Sequence, residues 1–326
     1  MNEKNTSRAV ALGTIFISLI VMCDYAAAGE PGCAASTQTQ RLACEFDLRD
    51  DFYTQSAICL DSAVQDETCF SDAAGEFDEG IEECDDILEA RLDLCGSLED
   101  ATHDPEFGED FAVNFVDPLE IGLSIAPNPW FALVTNNRWV YEGDGETIEV
   151  VVTGDTKLVD GVTCVVVIDT ASEDDVVVEV TNDWYAQDLD GNVWYCGEIS
   201  ENFEEFDGDE TDEPELVDIE GSWKAGRDGS EAGILLPFDP QPGDIFRQEF
   251  AQTDAEDAIE IMAIDATEAA PGGACNGNCL LTRDFTALEP GVAENKYYVP
   301  GIGLIVEIDL ETGDRVELVE FTGVGL

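Results

Sequence analysis

The sequence predicts an α+β protein, in which an N-terminal, disulfide-stapled helical hairpin is followed by a mostly antiparallel β-sandwich or part-closed β-barrel. Three observations predict this fold class. Six cysteines lie symmetrically about position 64, and apolar residues on both sides of that position recur at helical spacing. From about Trp130 onward, short alternating runs are separated by Gly, Asp and Asn turns, as in antiparallel sheets.

Residues 1–28 have the pattern of a secretion signal. Lys4 and Arg8 precede an uncharged stretch from Ala9 to Cys23, and Ala26–Ala28 offer a small-residue cleavage site. The uncharged stretch is shorter than the roughly 20 residues that a membrane-spanning helix needs. The sequence therefore predicts export and no integral membrane span.

Export places the mature chain in the periplasm or outside the cell. The alternative is a lipid anchor at Cys23, which Met22 disfavours because lipidation sites require a small residue at that position. Either location is oxidising, so the remaining thiols are expected to pair.

Ten of the eleven cysteines remain after the signal is removed. Six of them lie in the first hundred residues, and a fold-back at position 64 brings them together in nested couples. The predicted pairs are Cys33–Cys95, Cys44–Cys84 and Cys59–Cys69. Zinc ligands are usually two to four residues apart and a redox pair needs C-x-x-C, so neither fits these spacings. A partly reduced or intermolecular arrangement is the alternative.

Residues 29–100 are expected to form the hairpin, with a turn within 61–68. Apolar residues step mostly by three, four or seven along both arms. They are Cys44, Leu48, Phe52 and Cys59 on the first arm, and Phe70, Phe77, Ile81, Cys84, Leu88, Leu92 and Cys95 on the second. A two-helix unit of this size buries little apolar surface, and one disulfide stabilises it by about 3 kcal/mol.

Residues 101–126 are predicted to be a linker, because they contain several prolines and little periodicity. The single histidine, His103, lies in this stretch and is expected to be a solvated linker residue. Without a second histidine, a Ser-His-Asp or Cys-His relay has no other candidate base.

Residues 127–326 are predicted to form the antiparallel β domain, with about ten strands joined by short links. The predicted strands are Arg138–Glu142, Thr147–Thr153, Val162–Asp169, Val176–Gln187, Asn192–Ile199, Asp244–Gln252, Cys279–Thr286, Glu294–Val299, Leu304–Asp309 and Arg315–Phe321. The acidic stretch from Glu204 to Glu215 is predicted to be a solvated loop.

Four cysteines lie in this domain. Cys275 and Cys279 are expected to close a small loop, which leaves Cys164 to pair with Cys196 across strands. A four-thiolate metal site is the alternative, and it requires all four side chains to converge.

Three stretches of the β domain resemble a group of uncharacterised secreted bacterial proteins. They are Asp183–Tyr195 (DWYAQDLDGNVWY), Asn128–Phe131 followed by Trp139–Tyr141, and Lys296–Leu304. The resemblance covers roughly Pro127 to Glu320 and excludes the cysteine hairpin. It implies a β-rich extracytoplasmic domain and no particular activity.

The carboxylates at Asp188 and Asp190, with Asn192, raise the question of a calcium site. An EF-hand loop needs Gly at position six and Glu at position twelve, and neither register of this stretch satisfies both. The pattern favours a tight hairpin turn, with Gly191 at positive φ. Weak calcium binding at the three side chains is the alternative, and no other cofactor is expected.

Charge is the most unusual property of the chain. It has 74 acidic and 13 basic residues, for a net charge of −61. Mutual repulsion of this size is relieved by salt, which predicts adaptation to a saline medium; binding of polyvalent cations is the alternative. Nucleic acid and anionic membranes are excluded as partners because both require basic surface.

The sequence shows no catalytic motif, and therefore favours a non-enzymatic binding module of unknown ligand. The aromatic residues predicted to face a ligand are Trp130, Trp184, Trp194 and Trp223. The alternatives are a structural or interaction protein of the cell envelope, with a protein partner, and a carboxylate-based hydrolase. An enclosed cavity with inward Trp and Tyr favours the first, and two acids in a cleft with a raised pKa favour the hydrolase.

Overall fold

The structure is a computed structural model, which describes residues 32–62, 68–206 and 214–324. The predicted signal peptide with Cys23, the tip of the predicted hairpin and the centre of the acidic loop lie outside the described residues. Within the described part, two long helices precede one large antiparallel sheet. The predicted α+β fold class is thereby confirmed.

The helical hairpin consists of α1 (Cys33–Asp61) and α2 (Cys69–Ser97). Its three disulfides join the predicted pairs, with Cα–Cα distances of 5.4 Å for Cys33–Cys95, 6.0 Å for Cys44–Cys84 and 5.8 Å for Cys59–Cys69. These pairings make the helices antiparallel, with the outermost disulfide at the end that leads into the rest of the chain.

Fifteen strands form the sheet in the described ranges, and all their pairings are antiparallel. They are β1 (Arg138–Gly143), β2 (Glu146–Val159), β3 (Val162–Glu173), β4 (Val176–Gln187), β5 (Val193–Glu204), β6 (Glu215–Asp218), β7 (Trp223–Lys224), β8 (Glu231–Leu236), β9 (Ile245–Arg247), β10 (Glu249–Phe250), β11 (Asp257–Ala270), β12 (Gly273–Thr286), β13 (Ala293–Val299), β14 (Gly303–Asp309) and β15 (Arg315–Thr322).

The sheet curls into a near-closed barrel rather than a sandwich. Its strand order is β10-β8-β5-β4-β3-β2-β1-β15-β14-β13-β12-β11-β9, and the two end strands are separated in sequence by Gln248 alone. The segment predicted as one strand over 244–252 therefore changes partner at Gln248, from β11 on one side to β8 on the other. We call this segment, residues 245–250, the barrel seam.

The two disulfides of the β domain also join the predicted cysteines. Cys164 in β3 and Cys196 in β5 flank β4, with their Cα atoms 6.9 Å apart. Cys275 and Cys279 both belong to β12, with Cα atoms 5.5 Å apart. The register of β12 against β11 shifts beside Cys279, so the expected small loop is an irregularity within a strand.

The stretch 101–126, predicted to be a linker, packs against the outside of the barrel. It contains two 3₁₀ helices, Glu109–Asn114 and Pro118–Glu120. Phe107 and Phe115 contact the ring of Trp194, with centroid distances of 6.0 Å and 5.8 Å. Aromatic burial of this kind fixes the stretch to β5.

The base of the hairpin docks on the chain that follows the barrel seam. Arg91 of α2 donates to both carboxylate oxygens of Glu256, at 2.8 Å and 2.6 Å. Arg247 of the seam donates to Cys33 Sγ at 3.4 Å, and its guanidinium lies over the ring of Phe250. The hairpin and the barrel closure are therefore held at one place.

No helix in the described residues is long and apolar enough to cross a bilayer.

Candidate functional site

The barrel contains a cavity of about 290 Å³ that is partly open to solvent, and we call it the barrel cavity. Six carboxyl-bearing residues line it: Asp169, Asp183, Glu249, Asp257, Asp284 and Glu307. Its aromatic lining includes Trp130, Phe131, Trp139, Tyr185, Tyr195 and Tyr298. The lining therefore combines carboxyl groups with aromatic rings, and we call these rings the aromatic wall.

Strand alternation brings these side chains inward. On β4, Asp183 and Tyr185 line the cavity, whereas Trp184 between them points to the other face of the sheet. On β12, Thr282 and Asp284 are buried and the intervening Arg283 is exposed. The same period of two that builds the core of the barrel thus carries carboxyl groups into it.

Tyr195 joins two of the buried acids. Its hydroxyl oxygen lies 2.5 Å from Asp183 Oδ1 and 2.5 Å from Glu198 Oε2. One phenol has a single proton to donate, so the second short contact requires a protonated carboxyl that donates to the phenol oxygen. Burial accordingly raises the pKa of Asp183 to about 6, and burial together with the charge of Asp183 raises the pKa of Glu198 to about 8.

Asp169 is a third acid with a high pKa. Burial raises the pKa of its carboxyl to about 8, and the nearby charges of Asp183 and Glu179 add to the rise. No Lys or Arg among the described residues forms an ion pair with Asp169. Its carboxyl is therefore expected to hold a proton at neutral pH.

Glu249 lies on the barrel seam and is 5% exposed. Burial raises the pKa of its carboxyl, and the charges of Asp257 and Glu198 raise it further. The indole N–H of Trp223 opposes this rise. Trp223 is thus a neighbour of the Glu249 carboxyl, although neither Glu249 Oε2 nor Trp223 Nε1 makes a hydrogen bond of normal geometry to a protein group in the described structure.

Lys296 of β13 is the basic residue of the barrel cavity. Its Nζ lies 3.1 Å from Glu294, 3.2 Å from Glu307 and 3.8 Å from Asp284. Burial lowers the pKa of the ammonium, but these carboxylates outweigh burial, so that its pKa lies well above the usual value. Lys296 is consequently a charged partner of three acids and is not a free nucleophile.

A wider opening of about 740 Å³ adjoins the barrel cavity and shares Ile148 and Asp169 with it. We call it the acidic vestibule, from its six acidic lining residues: Glu146, Asp169, Glu179, Glu204, Asp218 and Glu220. Glu204, Asp218 and Glu220 are exposed. The vestibule thus meets the barrel cavity at Ile148 and Asp169.

The four tryptophans predicted to face a ligand occupy different places. Trp130 lines the barrel cavity, and its Nε1 has no partner in the described structure. Trp223 packs edge-on against Tyr195, with centroids 5.4 Å apart. Trp184 lies on the outer face, where Lys157 Nζ is 4.9 Å from its ring centroid, and Trp194 lies under the 101–126 stretch.

The stretch from Asp188 to Asn192 forms a tight turn with Gly191 at φ 91°. Both carboxylate oxygens of Asp188 accept hydrogen bonds: one from the Asn192 backbone N–H, the other from the Asn192 side chain and from Trp194 Nε1. Asp190 is exposed. The described residues contain no group of three or more His, Cys, Asp or Glu side chains arranged to hold a metal ion. Calcium binding at Asp188, Asp190 and Asn192 stays a prediction.

His103 is not the solvated linker residue that the sequence predicts. Its Nε2 lies 2.9 Å from the carbonyl oxygen of Ala232, and its ring packs edge-on against Phe250. Burial lowers the pKa of its imidazole. His103 therefore helps to fix the start of the 101–126 stretch against β8 and β10.

Sequence reasoning missed the acids of the barrel cavity. The signal was present: Asp183 and Asp284 occupy core-facing positions of strands whose other core-facing residues are buried. A carboxyl at such a position is costly unless it is paired or protonated. The chain has 74 acidic residues, however, and these few can be told from the solvated majority only when it is known which face of each strand points into the barrel.

Searches against protein-family models, curated proteins and solved structures found no match for this chain. The resemblance of Asp183–Tyr195 and its companion stretches to secreted bacterial proteins stays a prediction.

Proposed function

We propose that this protein is a non-enzymatic binding protein, secreted or periplasmic and adapted to a saline medium, which holds a small ligand in the barrel cavity. The five disulfides support the location, because such bonds persist in oxidising compartments outside the cytoplasm. The net charge of −61 supports the saline medium.

The binding function depends on one observation: buried polar atoms without hydrogen-bond partners line the barrel cavity. Glu249 Oε2 and Trp130 Nε1 are both buried at the cavity and both lack a hydrogen-bond partner. An unsatisfied buried polar group costs about 1–3 kcal/mol, more when it is charged. A ligand that bonds to either atom removes the cost at that atom, and the aromatic wall supplies the apolar contact that small-molecule sites share.

Native mass spectrometry of the protein purified from its own host tests this proposal. We expect a bound mass that is released on denaturation. Val150→Phe, which narrows the cavity, should abolish it. Val151→Phe is the matched control, because neighbouring residues of β2 face opposite sides of the sheet. A protein that carries no ligand, or a bound mass that both variants retain, contradicts the proposal.

Hydrolysis by a carboxyl pair is a second candidate, because Asp183 and Glu198 share the Tyr195 hydroxyl and Glu198 has a pKa of about 8. One protonated and one ionised acid is the pairing that glycoside hydrolysis uses. Turnover of glycosides by the purified protein, lost in Glu198→Gln, would favour this candidate over simple binding.

A structural or interaction role is a third candidate. Phe46, Tyr53 and Leu60 are spaced seven residues apart on α1 and are all exposed. An exposed apolar stripe of this kind is typical of surfaces that contact another protein. Cross-linking in the native envelope would favour this role if the adducts form through α1.

A further inference from the structure

We propose that the ligand of the barrel cavity is a small organic cation, an ammonium compound with an apolar body, and that Glu249 is its principal anionic contact. This inference rests on the binding function proposed above. It follows from the charge balance of the cavity, from the unpartnered Glu249, from the aromatic wall and from the acidic vestibule.

The barrel cavity is rich in carboxyl groups and poor in basic groups. Lys296 is its basic lining residue, and Glu294, Glu307 and Asp284 already surround the ammonium group. Four further acids of the cavity form no ion pair with any Lys or Arg of the described residues. They are Asp169, Asp183, Glu249 and Asp257. A ligand cation supplies the charge that these groups lack.

Glu249 is the member of this set with an open binding position. It is 5% exposed, it lines the cavity, and its Oε2 has no hydrogen-bond partner in the described structure. An ammonium group has only donors, so it satisfies such an oxygen without leaving an acceptor of its own unpaired. A ligand carboxylate or phosphate would instead find the basic residue of the cavity, Lys296, already surrounded by three acids.

The aromatic wall indicates that the cation is organic. Tyr185 and Tyr195 stack with centroids 4.7 Å apart, and Phe131 packs on Tyr185 at 5.3 Å. Aromatic faces attract organic ammonium groups and also cover apolar surface, whereas a hydrated metal ion makes no use of Leu235, Leu236 or comparable lining residues. A volume of about 290 Å³ limits the ligand to a small molecule.

The acidic vestibule favours the same class of ligand. All six of its ionisable lining residues are acids, and it shares Asp169 with the cavity. A cleft lined by one sign of charge concentrates ions of the opposite sign and speeds their entry. The opening beside the cavity thus favours cations over anions, as the carboxyl groups of the cavity do.

Titration calorimetry of the mature protein with three probes of similar shape tests the inference. The probes are 2-phenylethylammonium, neutral 2-phenylethanol and anionic phenylacetate. We expect 2-phenylethylammonium to bind at least tenfold more tightly than 2-phenylethanol, and phenylacetate not to bind. Buffers with different ionisation enthalpies should show protons released as the ammonium probe binds, because a cation stabilises the ionised acids around it.

Glu249→Gln keeps the shape of the side chain and removes its charge. It should weaken the binding of 2-phenylethylammonium at least tenfold and leave that of 2-phenylethanol unchanged. The matched control is Glu231→Gln on β8, because Glu231 also has an unpartnered Oε2 but does not line the barrel cavity. This control should leave the binding of both probes unchanged.

Three outcomes of the calorimetry would overturn the inference. They are equal or tighter binding of 2-phenylethanol, unchanged binding of 2-phenylethylammonium in Glu249→Gln, and binding of Ca²⁺ but of none of the three probes. A neutral or anionic ligand on host-purified protein would also refute the cationic class while the binding function stands. Protein that carries no ligand refutes the binding function itself.

Discussion

Arg91 and Glu256 form the most buried ion pair in the described structure, with side chains 4% and 1% exposed. The guanidinium binds both carboxylate oxygens, while the Thr253 backbone N–H and the Gln40 side chain also donate to Glu256. Each polar atom of the carboxylate is thus satisfied where water is excluded. A pair of this kind is sensitive to loss of one partner, because the other charge is left buried and uncompensated.

Arg91→Met should therefore reduce the free energy of unfolding by about 3–5 kcal/mol. Urea unfolding followed by far-UV circular dichroism measures the change. Arg49→Met is the matched control: Arg49 pairs with Glu45 on the exposed part of α1, so its loss should cost at most about 1 kcal/mol. Equal losses in the two variants would show that the buried pair does not hold the hairpin on the barrel.

Carboxyl groups in and beside the barrel cavity make stability depend on pH. The pKa of an unfolded carboxyl is about 4, whereas Asp169 and Glu198 have pKa values of about 8 in the folded protein. Between these values the folded protein binds more protons than the unfolded chain. The stabilising contribution is fully present below about pH 4 and is lost as the pH rises through about 8.

Asp169→Asn should flatten this dependence, because the amide does not titrate. The slope of the free energy of unfolding against pH, measured between pH 5 and 8, should become less negative. The change corresponds to up to about one proton fewer in the difference between the protons bound by the folded and unfolded states. Asp309→Asn is the control: hydrogen bonds from Thr312 lower the pKa of this exposed carboxyl, so its effect lies at acid pH. An unchanged slope in Asp169→Asn would mean that Asp169 is ionised throughout this range.

At the scale of single elements, closure of the sheet at the barrel seam depends on one glycine, Gly233. Gly233 of β8 lies against the seam, and a Cβ atom there would overlap the carbonyl oxygen of Arg247. Only the absence of a side chain allows β8 and the seam to approach so closely. The closeness in turn positions Glu249 of β10 opposite Ala232 of β8.

Gly233→Ala should separate the seam from β8 and destabilise the protein by about 1–3 kcal/mol, as overpacking does. Hydrogen exchange should show faster opening of β9 and β10, and the ammonium probe should bind less tightly because Glu249 moves. Gly154→Ala in β2 is the control, since the nearest atom to its Cβ would be Thr135 Cγ2 at an ordinary 3.7 Å. Equal protection of the seam in both variants would contradict the role of Gly233.

Elements with a strong local signal could be predicted from the sequence, and the others depend on distant partners. The predicted strand Val176–Gln187 coincides with β4, because alternation and flanking turn residues mark both of its ends. The symmetric positions of the six N-terminal cysteines predict the hairpin and its three disulfides. By contrast, β7 and β10 have two residues each, too few to show a period.

Closure of the barrel is also invisible in the sequence, because a sandwich and a barrel share the same alternation. Which acids line the cavity follows from that closure. The barrel seam illustrates the difficulty. Its sequence predicts one strand, whereas in the curved sheet the residues before Gln248 pair with β11 and those after it pair with β8.

At the scale of the whole molecule, charge repulsion opposes the compact state. The net charge of −61 is spread over both the hairpin and the barrel. The Debye length falls from about 10 Å at 0.1 M salt to about 3 Å at 1 M, so salt removes most of the repulsion between exposed acids. Acids of the barrel cavity are screened less, because they are buried.

Raising NaCl from 0.1 M to 2 M should therefore increase the melting temperature by roughly 10 °C, which corresponds to several kcal/mol at about 2–4 °C for each kcal/mol. Calorimetric melting curves measure the shift, and KCl at equal ionic strength should give the same shift, because screening does not depend on the cation.

A specific calcium site would instead stabilise the protein at micromolar Ca²⁺ in constant NaCl. Asp188→Asn should then reduce that calcium response if the site is the turn at Asp188. A melting temperature that does not change with NaCl but rises with micromolar Ca²⁺ would show that the acidic residues serve cation binding rather than adaptation to a saline medium.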